Sequence, residues 1–167
     1  MNTQLGTMYL DGDRLWLGNR SHVCVLDRRT CRTLGFWKIP GGVQSFFRDR
    51  DGGFWISCGS ALNYSTCDES GNPSDNSGIF GGNQDFGEFR VIDPHAYSSI
   101  IQDNVGNIWA SSFVTGVMKW DGSAATYYNR QNGRSCSYKI TSVVEDGEGH
   151  IWAGTYGDGL LCLSEDG

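Results

Sequence analysis

The sequence predicts an all-β protein built from about four repeated, four-stranded antiparallel sheets. Three observations carry that prediction. A pattern of hydroxyl, apolar, apolar, variable residue and Asp recurs four times in 167 residues, each time ahead of a glycine-containing turn and an apolar–Trp pair. The segments between turn signals are short, and nothing of comparable length shows apolar residues at helical spacing. Glycine contributes 24 residues and aromatics 13% of the chain, which fits tight turns around an aromatic framework and excludes a disordered chain. No Gly-x-y period or persistent apolar heptad exists, so collagen and coiled coil are excluded. No apolar run reaches the roughly 18 residues of a membrane helix.

The four copies are Thr7-Met8-Tyr9-Leu10-Asp11, Ser45-Phe46-Phe47-Arg48-Asp49, Ser99-Ile100-Ile101-Gln102-Asp103 and Ser142-Val143-Val144-Glu145-Asp146. Their apolar–Trp pairs are Leu15-Trp16, Phe54-Trp55, Ile108-Trp109 and Ile151-Trp152. Two residues past each Trp stands a small residue: Gly18, Ser57, Ser111 and Gly154. The aspartates are spaced 38, 54 and 43 residues apart. The longer middle interval is explained by a loop-like insertion at 68–84, rich in Gly, Ser, Asn and Asp. Without it the repeat is about forty residues.

In the third unit, strands are expected over 97–102, 107–112, 117–120 and 125–129, each closed by a turn. Four antiparallel strands in such a repeat make a β-propeller blade. The expected units are 1–40, 41–93, 94–137 and 138–167, the last without an outer strand. One four-stranded sheet cannot bury both of its faces alone. Stacked blades bury both, and the recurring Trp with its apolar neighbour supplies the contact. Each Asp is expected to cap its turn by accepting backbone N–H bonds, and the small residue after Trp to let adjacent sheets approach. Asp11, Trp16, Asp49, Trp55, Asp103, Trp109, Asp146 and Trp152 are therefore read as structural.

The last copy, Val144-x-Asp146-x-x-Gly149-x-Ile151-Trp152-x-Gly154-Thr155-x-Gly157-x-Gly159-Leu160, resembles the two-component regulator propeller repeat. The third unit, Asp103 to Trp120, resembles it nearly as well. The first two depart from it: Asn19 and Cys58 stand where the family has Thr, and Gly18-Asn19-Arg20 lacks a Gly-Gly turn. The resemblance implies blades in sets of seven, so that these four form about half a ring, completed by further repeats or by a second chain. It also implies a non-enzymatic sensor module of a hybrid two-component receptor, periplasmic or otherwise extracytoplasmic. Such a module binds an oligosaccharide or similar ligand and shifts a homodimer, to which a kinase outside this chain responds.

Other function classes find less support. Net charge is −6 with a pI near 4.9, and the densest basic run, Arg28, Arg29 and Arg32, reads as a solvated turn. No nucleic-acid partner is expected. Residues 1–6 have neither the basic n-region nor the apolar core of a secretory signal. The six cysteines (24, 31, 58, 67, 136 and 162) contain no CxxC pair, so a zinc ribbon is not expected. Cys24 and Cys31 flank a turn and either meet across a hairpin or are small, half-buried strand residues. Counting to the twelfth position from each repeated Asp gives His22, Ser60, Val114 and Gly157, none of them the Glu of a calcium loop. His22, His95 and His150 show no zinc spacing, and no nucleophile elbow, phosphate loop or dinucleotide fingerprint occurs. Catalytic residues, cofactors, metals and membrane insertion of this segment are not expected.

In propellers the loops between second and third strands share one face with the connections between blades. Here they carry Arg20, His22, Phe113, Tyr156 and Asp158, with Tyr97 and Tyr138 in the blade connections at 94–97 and 132–138 and a further connection at 39–42. Rings beside hydrogen-bonding groups suit a carbohydrate, whose C–H face stacks while its hydroxyls find partners. The competing reading makes them half-buried loop side chains. The insertion at 68–84 is expected on the opposite face. Two rival functions stand beside the sensor. One is a metal-dependent, antibiotic-inactivating propeller lyase using His22 or His95, and the other is a protein-interaction scaffold.

Overall fold

A computed structural model describes residues 5–39, 41–66, 89–130 and 139–163. The described residues form strands joined by turns, in two compact units, Met1–Ala96 and Tyr97–Gly167. The insertion at 68–84, Pro40, Cys67, Cys136 and Tyr138 lie outside the described residues.

The first unit holds two four-stranded meanders. One is β1 (Leu5–Asp11), β2 (Arg14–Asn19), β3 (His22–Asp27) and β4 (Thr33–Lys38); the other is β5 (Val43–Arg48), β6 (Phe54–Cys58), β7 (Ala61–Ser65) and β8 (Arg90–Asp93). The second unit holds the sheet β9 (Ser99–Gln102), β10 (Ile108–Ser112), β11 (Gly116–Trp120) and β12 (Ala125–Tyr128). Beside it are three strands, β13 (Ile140–Glu145), β14 (Ile151–Thr155) and β15 (Leu160–Leu163). Every pairing is antiparallel between chain neighbours, as in a propeller blade. In the third sheet the first strand begins at Ser99, so Tyr97, expected within it, precedes it.

Strand periodicity explains why the apolar–Trp pair recurs. Successive side chains leave opposite faces of a strand, so Trp turns to one neighbouring sheet and its predecessor to the other. Trp16 of the first sheet packs with Val43, Phe46, Phe54 and Ile56 of the second, its ring 5.9 Å from Phe46 and 4.4 Å from Phe54. Trp109 of the third sheet packs with Ile140, Val143, Ile151 and Ala153 of the fourth. Each core is thus the Trp face of one blade against the pre-Trp face of the next. The small residue after Trp serves this contact directly at Gly18, where a Cβ would come within 2.7 Å of Val43 Cβ and 3.1 Å of the Phe46 ring. At Gly154 the obstacle lies in its own sheet, Ser142 Oγ at 2.7 Å.

Three of the four aspartates build one module. In Asp49, Asp103 and Asp146, Oδ1 accepts the N–H groups of residues two and four positions on. Oδ2 accepts the indole N–H of the Trp six positions on, at 2.8 Å each time. The expected turn cap is therefore also a clasp on the core tryptophan. The residue three past each Asp is Gly52, Gly106 or Gly149, with φ of +84°, +105° and +89°, a region that L side chains rarely adopt. The donors hold two of these carboxyls below the usual range. For Asp146 the first cause is the Trp152 indole. For Asp103 burial works upward and is outweighed by the donors of Trp109 and Asn107.

Asp11 is different. It stands five residues before its Trp rather than six, because β1 and β2 are joined by the two-residue turn Gly12-Asp13. Its carboxylate meets Arg48 of β5, with Nε at 2.8 Å and the terminal nitrogen at 2.6 Å. Arg48 also donates to Gly52 O at 2.9 Å and lies over the Phe54 ring.

The cysteine expectation needs correction. Cys24 and Cys31 are free thiols, and only Cys24 is a half-buried strand residue. Cys31 is exposed with φ of +56°, because the turn from Asp27 to Arg32 closes through Cys31 N–H to Asp27 O at 2.9 Å. The basic run lies at this turn, where Arg28 and Arg29 pair with Asp13 at 3.3 Å.

Candidate functional site

Loops between second and third strands do share a face with the blade connection inside each unit, but the two faces are built differently. In the first unit they are locked backbone to backbone. Asn19 Oδ1 takes the N–H groups of Ser21 and His22 at 2.8 Å, and Ile39 N–H reaches Ser21 O at 2.8 Å. Gly59 N–H then donates to Gly42 O at 2.8 Å. A Cβ on Gly41 would lie 2.5 Å from Gly59 Cα, and one on Gly42 would lie 3.0 Å from Arg20 Cα. Only glycine permits this approach.

Of the candidates on that face, Arg20 is exposed and His22 is half-buried. His22 Nδ1 sits 2.8 Å from Ser21 Oγ, and its ring stacks on Phe36 at 4.8 Å and 26°. Phe36 is an exposed residue of the outer strand β4, and its place beside His22 follows from strand register rather than from any loop signal. Cys58, also at this end, points into the core, and burial pushes its thiol up to about 11. A thiol so raised is protonated near neutrality and is a poor nucleophile.

The second unit exposes side chains instead. Phe113, in the β10–β11 loop, and Tyr156, in the β14–β15 loop, are 48% and 68% exposed. Their ring centroids lie 5.5 Å apart at 61°, edge to face. Lys139 Nζ stands 5.7 Å from the Phe113 centroid and 6.0 Å from that of Tyr156, so cation and rings form a nearly equilateral triangle. Tyr156 N–H donates to Lys139 O at 2.8 Å, which ties the fourth blade's loop to the connection entering that blade. Asn129 Nδ2, just past β12, donates to Thr115 O of the β10–β11 loop at 3.2 Å. Asp158 is exposed, and its N–H is held by Thr155 Oγ1 at 2.9 Å.

The structure therefore divides the predicted residues. Phe113 and Tyr156 come together, and Asp158 follows on the same loop. Arg20 and His22 belong to the other unit. Tyr97 is 0% exposed and presents no ring to a ligand; it is a core residue at the start of the third blade. Sequence reasoning missed Lys139, the residue just before β13, because the connection was taken to end at Tyr138.

The remaining histidines have local partners. His95 Nδ1 lies 2.6 Å from the buried carboxylate of Asp93. His150 Nδ1 lies 3.1 Å from Asp146 Oδ2 in the turn at the other end of the blade. Among the described residues no group of three or more His, Cys, Asp or Glu side chains is placed to hold a metal ion. No helix there is long and apolar enough to cross a membrane.

Comparison with known proteins fits the blades. Residues 135–157 match the model of the two component regulator propeller family, which marks the fourth unit as a repeat of that kind. No curated protein matches the chain. Among solved structures, the extracellular domain of the hybrid two component system BT3049 from B. thetaiotaomicron is similar at a TM-score of 0.69 and 18% identity, over 96% of this chain and 20% of that one. PorZ, a surface component of the type-IX secretion system of Porphyromonas gingivalis, is similar at 0.67 and 14%, over 96% and 26%. The WD40 β-propeller domain of Doa1 is similar at 0.66 and 10%, over 98% and 52%. At these identities the likeness is one of fold, and it establishes the sheets as propeller blades. The chain spans about a fifth of the length of the two-component relative.

Proposed function

We propose that this chain is part of a non-enzymatic, ligand-binding propeller in the periplasmic or extracytoplasmic sensor region of a two-component receptor. Its ligand is a carbohydrate or a similar small molecule, and it docks on the corner made by Phe113, Tyr156 and Lys139. One observation carries this reading: two exposed aromatic rings from successive blades are held edge to face beside an ammonium group. Aromatic faces take the C–H face of a sugar, and polar neighbours take its hydroxyls. Asp158, on the Tyr156 loop, is a candidate acceptor for those hydroxyls. The match of residues 135–157 to a regulator propeller repeat supports the sensor context.

Phe113 belongs to the third blade and Tyr156 to the fourth. A ligand bridging them prefers one spacing of the two blades, and such differential affinity is what a sensor needs to shift an equilibrium. The rest of the receptor and a second copy of it are the partners through which the shift is read out.

The test is a screen of oligosaccharides by direct binding, repeated with Phe113→Ala and Tyr156→Ala. Each substitution is expected to weaken binding about tenfold or more, because truncation of a central aromatic removes most of such a contact. Binding that ignores both substitutions, or chemical conversion of the bound sugar, overturns the proposal.

A further inference from the structure

We propose that the sugar accepted at this corner carries a negative charge, as a carboxylate or a sulfate ester, and that Lys139 is the residue that selects it. The inference rests on the ligand-binding reading above and adds the class of ligand. Its first support is the placement of the cation. The Lys139 ammonium stands about equally far from both ring centroids, at 5.7 and 6.0 Å, so it caps the corner between the rings. A pyranose stacked on either ring brings a ring substituent toward it. Neutral hydroxyls have no need of a full positive charge there; a carboxylate or sulfate gains a charge-assisted hydrogen bond, roughly twice as strong as a neutral one.

The second support comes from sequence and is independent of geometry. The connection from Asn129 to Lys139 contains Arg130, Arg134 and Lys139 and no acidic residue, in a chain whose net charge is −6. The corresponding connection of the first unit, at 39–42, carries no charge at all. Lys139, the cation beside the rings, thus ends a stretch of sequence with three basic residues and no acidic one. A locally positive site attracts and retains an anion despite an acidic whole.

The third support is the price of the arrangement in side-chain exposure. Phe113 and Tyr156 leave about half and two thirds of their surface in water, and an exposed cation–π contact returns only about 0.5–1 kcal/mol. Stabilisation of the fold does not require so much exposed ring. An anionic sugar uses all three groups together: ring face for its apolar side, ammonium for its charge.

Calorimetry with four probes tests this on the full chain. Oligogalacturonate is compared with its methyl-esterified form, which keeps the ring and loses the charge, and a sulfated galactan oligosaccharide is compared with its desulfated form. At least one charged probe is expected to bind about tenfold or more tightly than its neutral partner. The carboxylate and sulfate pairs show which anion is preferred. Raising salt should narrow the gap, Lys139→Gln should abolish it, and Lys139→Arg should retain it. Phe113→Ala should weaken charged and neutral forms alike. Equal binding within both pairs overturns the charge selection and leaves the ligand-binding proposal standing. Binding only of uncharged sugars from the wider screen does the same. No binding of any sugar, charged or neutral, removes both.

Discussion

The first unit closes its loop face with glycines, whereas the second opens it with two rings and a lysine. In the first, Gly41 packs on Gly59 and Gly42 on Arg20 Cα, and main-chain bonds join all three loops. In the second, one main-chain bond ties Tyr156 to Lys139, and the side chains beyond it face solvent. Two pairs of antiparallel meanders thus carry different surfaces, and the difference resides in a few loop residues. A rigid sheet scaffold that leaves its loops free to diverge is how such folds accommodate binding.

A second difference concerns how the two blades within each unit are stapled at the opposite end. In the second blade of each unit, the residue before the repeated Asp, read from sequence as variable, reaches back to the first blade. In the first unit Arg48 grips Asp11. In the second, Glu145 Oε1 accepts the N–H of Asn104 at 3.0 Å. The same register position thus carries opposite charge, each matched to its target, a carboxylate in one case and a turn amide in the other. Asp11, at its shorter two-residue turn, is the residue that meets Arg48. Asp103, clasped on Trp109, leaves only the turn's N–H for a staple.

The largest effect should come from the core between the two blades of each unit. Trp109→Ala removes a buried ring and its clasp, and should cost about 3–5 kcal/mol of unfolding free energy. Trp152→Ala, at a half-buried position, should cost less. Chemical denaturation compares them, and a Trp152 cost as large as that of Trp109 contradicts this account of the Trp face.

Next in size is the clasp. Asp103→Ala strands the Trp109 indole and two turn amides, and should cost about 2–4 kcal/mol, each buried donor left unmade contributing about 1–3. Asp11→Ala, which releases only the Arg48 pair, should cost less. The clasp also predicts a pH dependence. Folded-state pKa values of Asp103 and Asp146 lie below the ordinary 3.8. Their contribution is therefore present in full above that value and is lost as pH falls below it toward the lowered folded values. Denaturation midpoints between about pH 5 and 2 should fall less steeply for Asp103→Ala than for the parent. Parallel curves rule the clasp out as a source of acid sensitivity.

Gly41→Ala and Gly52→Ala separate space from conformation. Their φ angles, +81° and +84°, are nearly the same, but Gly52 has open space where Gly41 meets Gly59. Left-handed backbone alone costs about 1–2 kcal/mol, and overpacking adds about 1 or more at Gly41. Equal costs by thermal denaturation mean that the closed face relaxes more easily than its geometry suggests.

The smallest expected effect is that of the second staple. Glu145→Ala should cost about 0.5–1.5 kcal/mol, as one exposed hydrogen bond. Because its partner is an uncharged amide, the cost should vary little with salt, whereas that of Arg48→Met should shrink as salt rises. A salt-dependent Glu145 effect points to a cationic partner instead.

Much of the blade was legible because its signals are local. The Asp, the glycine three residues later and the apolar–Trp pair report a turn between two strands, and strand alternation dictates that Trp and its neighbour face opposite ways. Even the exception was visible, as five residues rather than six between Asp11 and Trp16. The aspartate's second role was not legible: an Asp that caps a turn in sequence gives no sign that its other oxygen holds an indole. Tyr97 was misread because a blade connection is not uniformly surface, and this one ends with a ring folded into the core.

By itself, then, the sequence determined the repeat, the strand order within each blade and the residues that pack between blades, since all of these follow from short-range periodicity and turn chemistry. Tertiary structure alone decided which loop residues meet. Phe113, Lys139 and Tyr156 are separated by 26 and 17 positions, and no local rule connects them. They come together because antiparallel meanders return alternate loops to one end of the blade, and because a single bond from Tyr156 N–H to Lys139 O fixes their register.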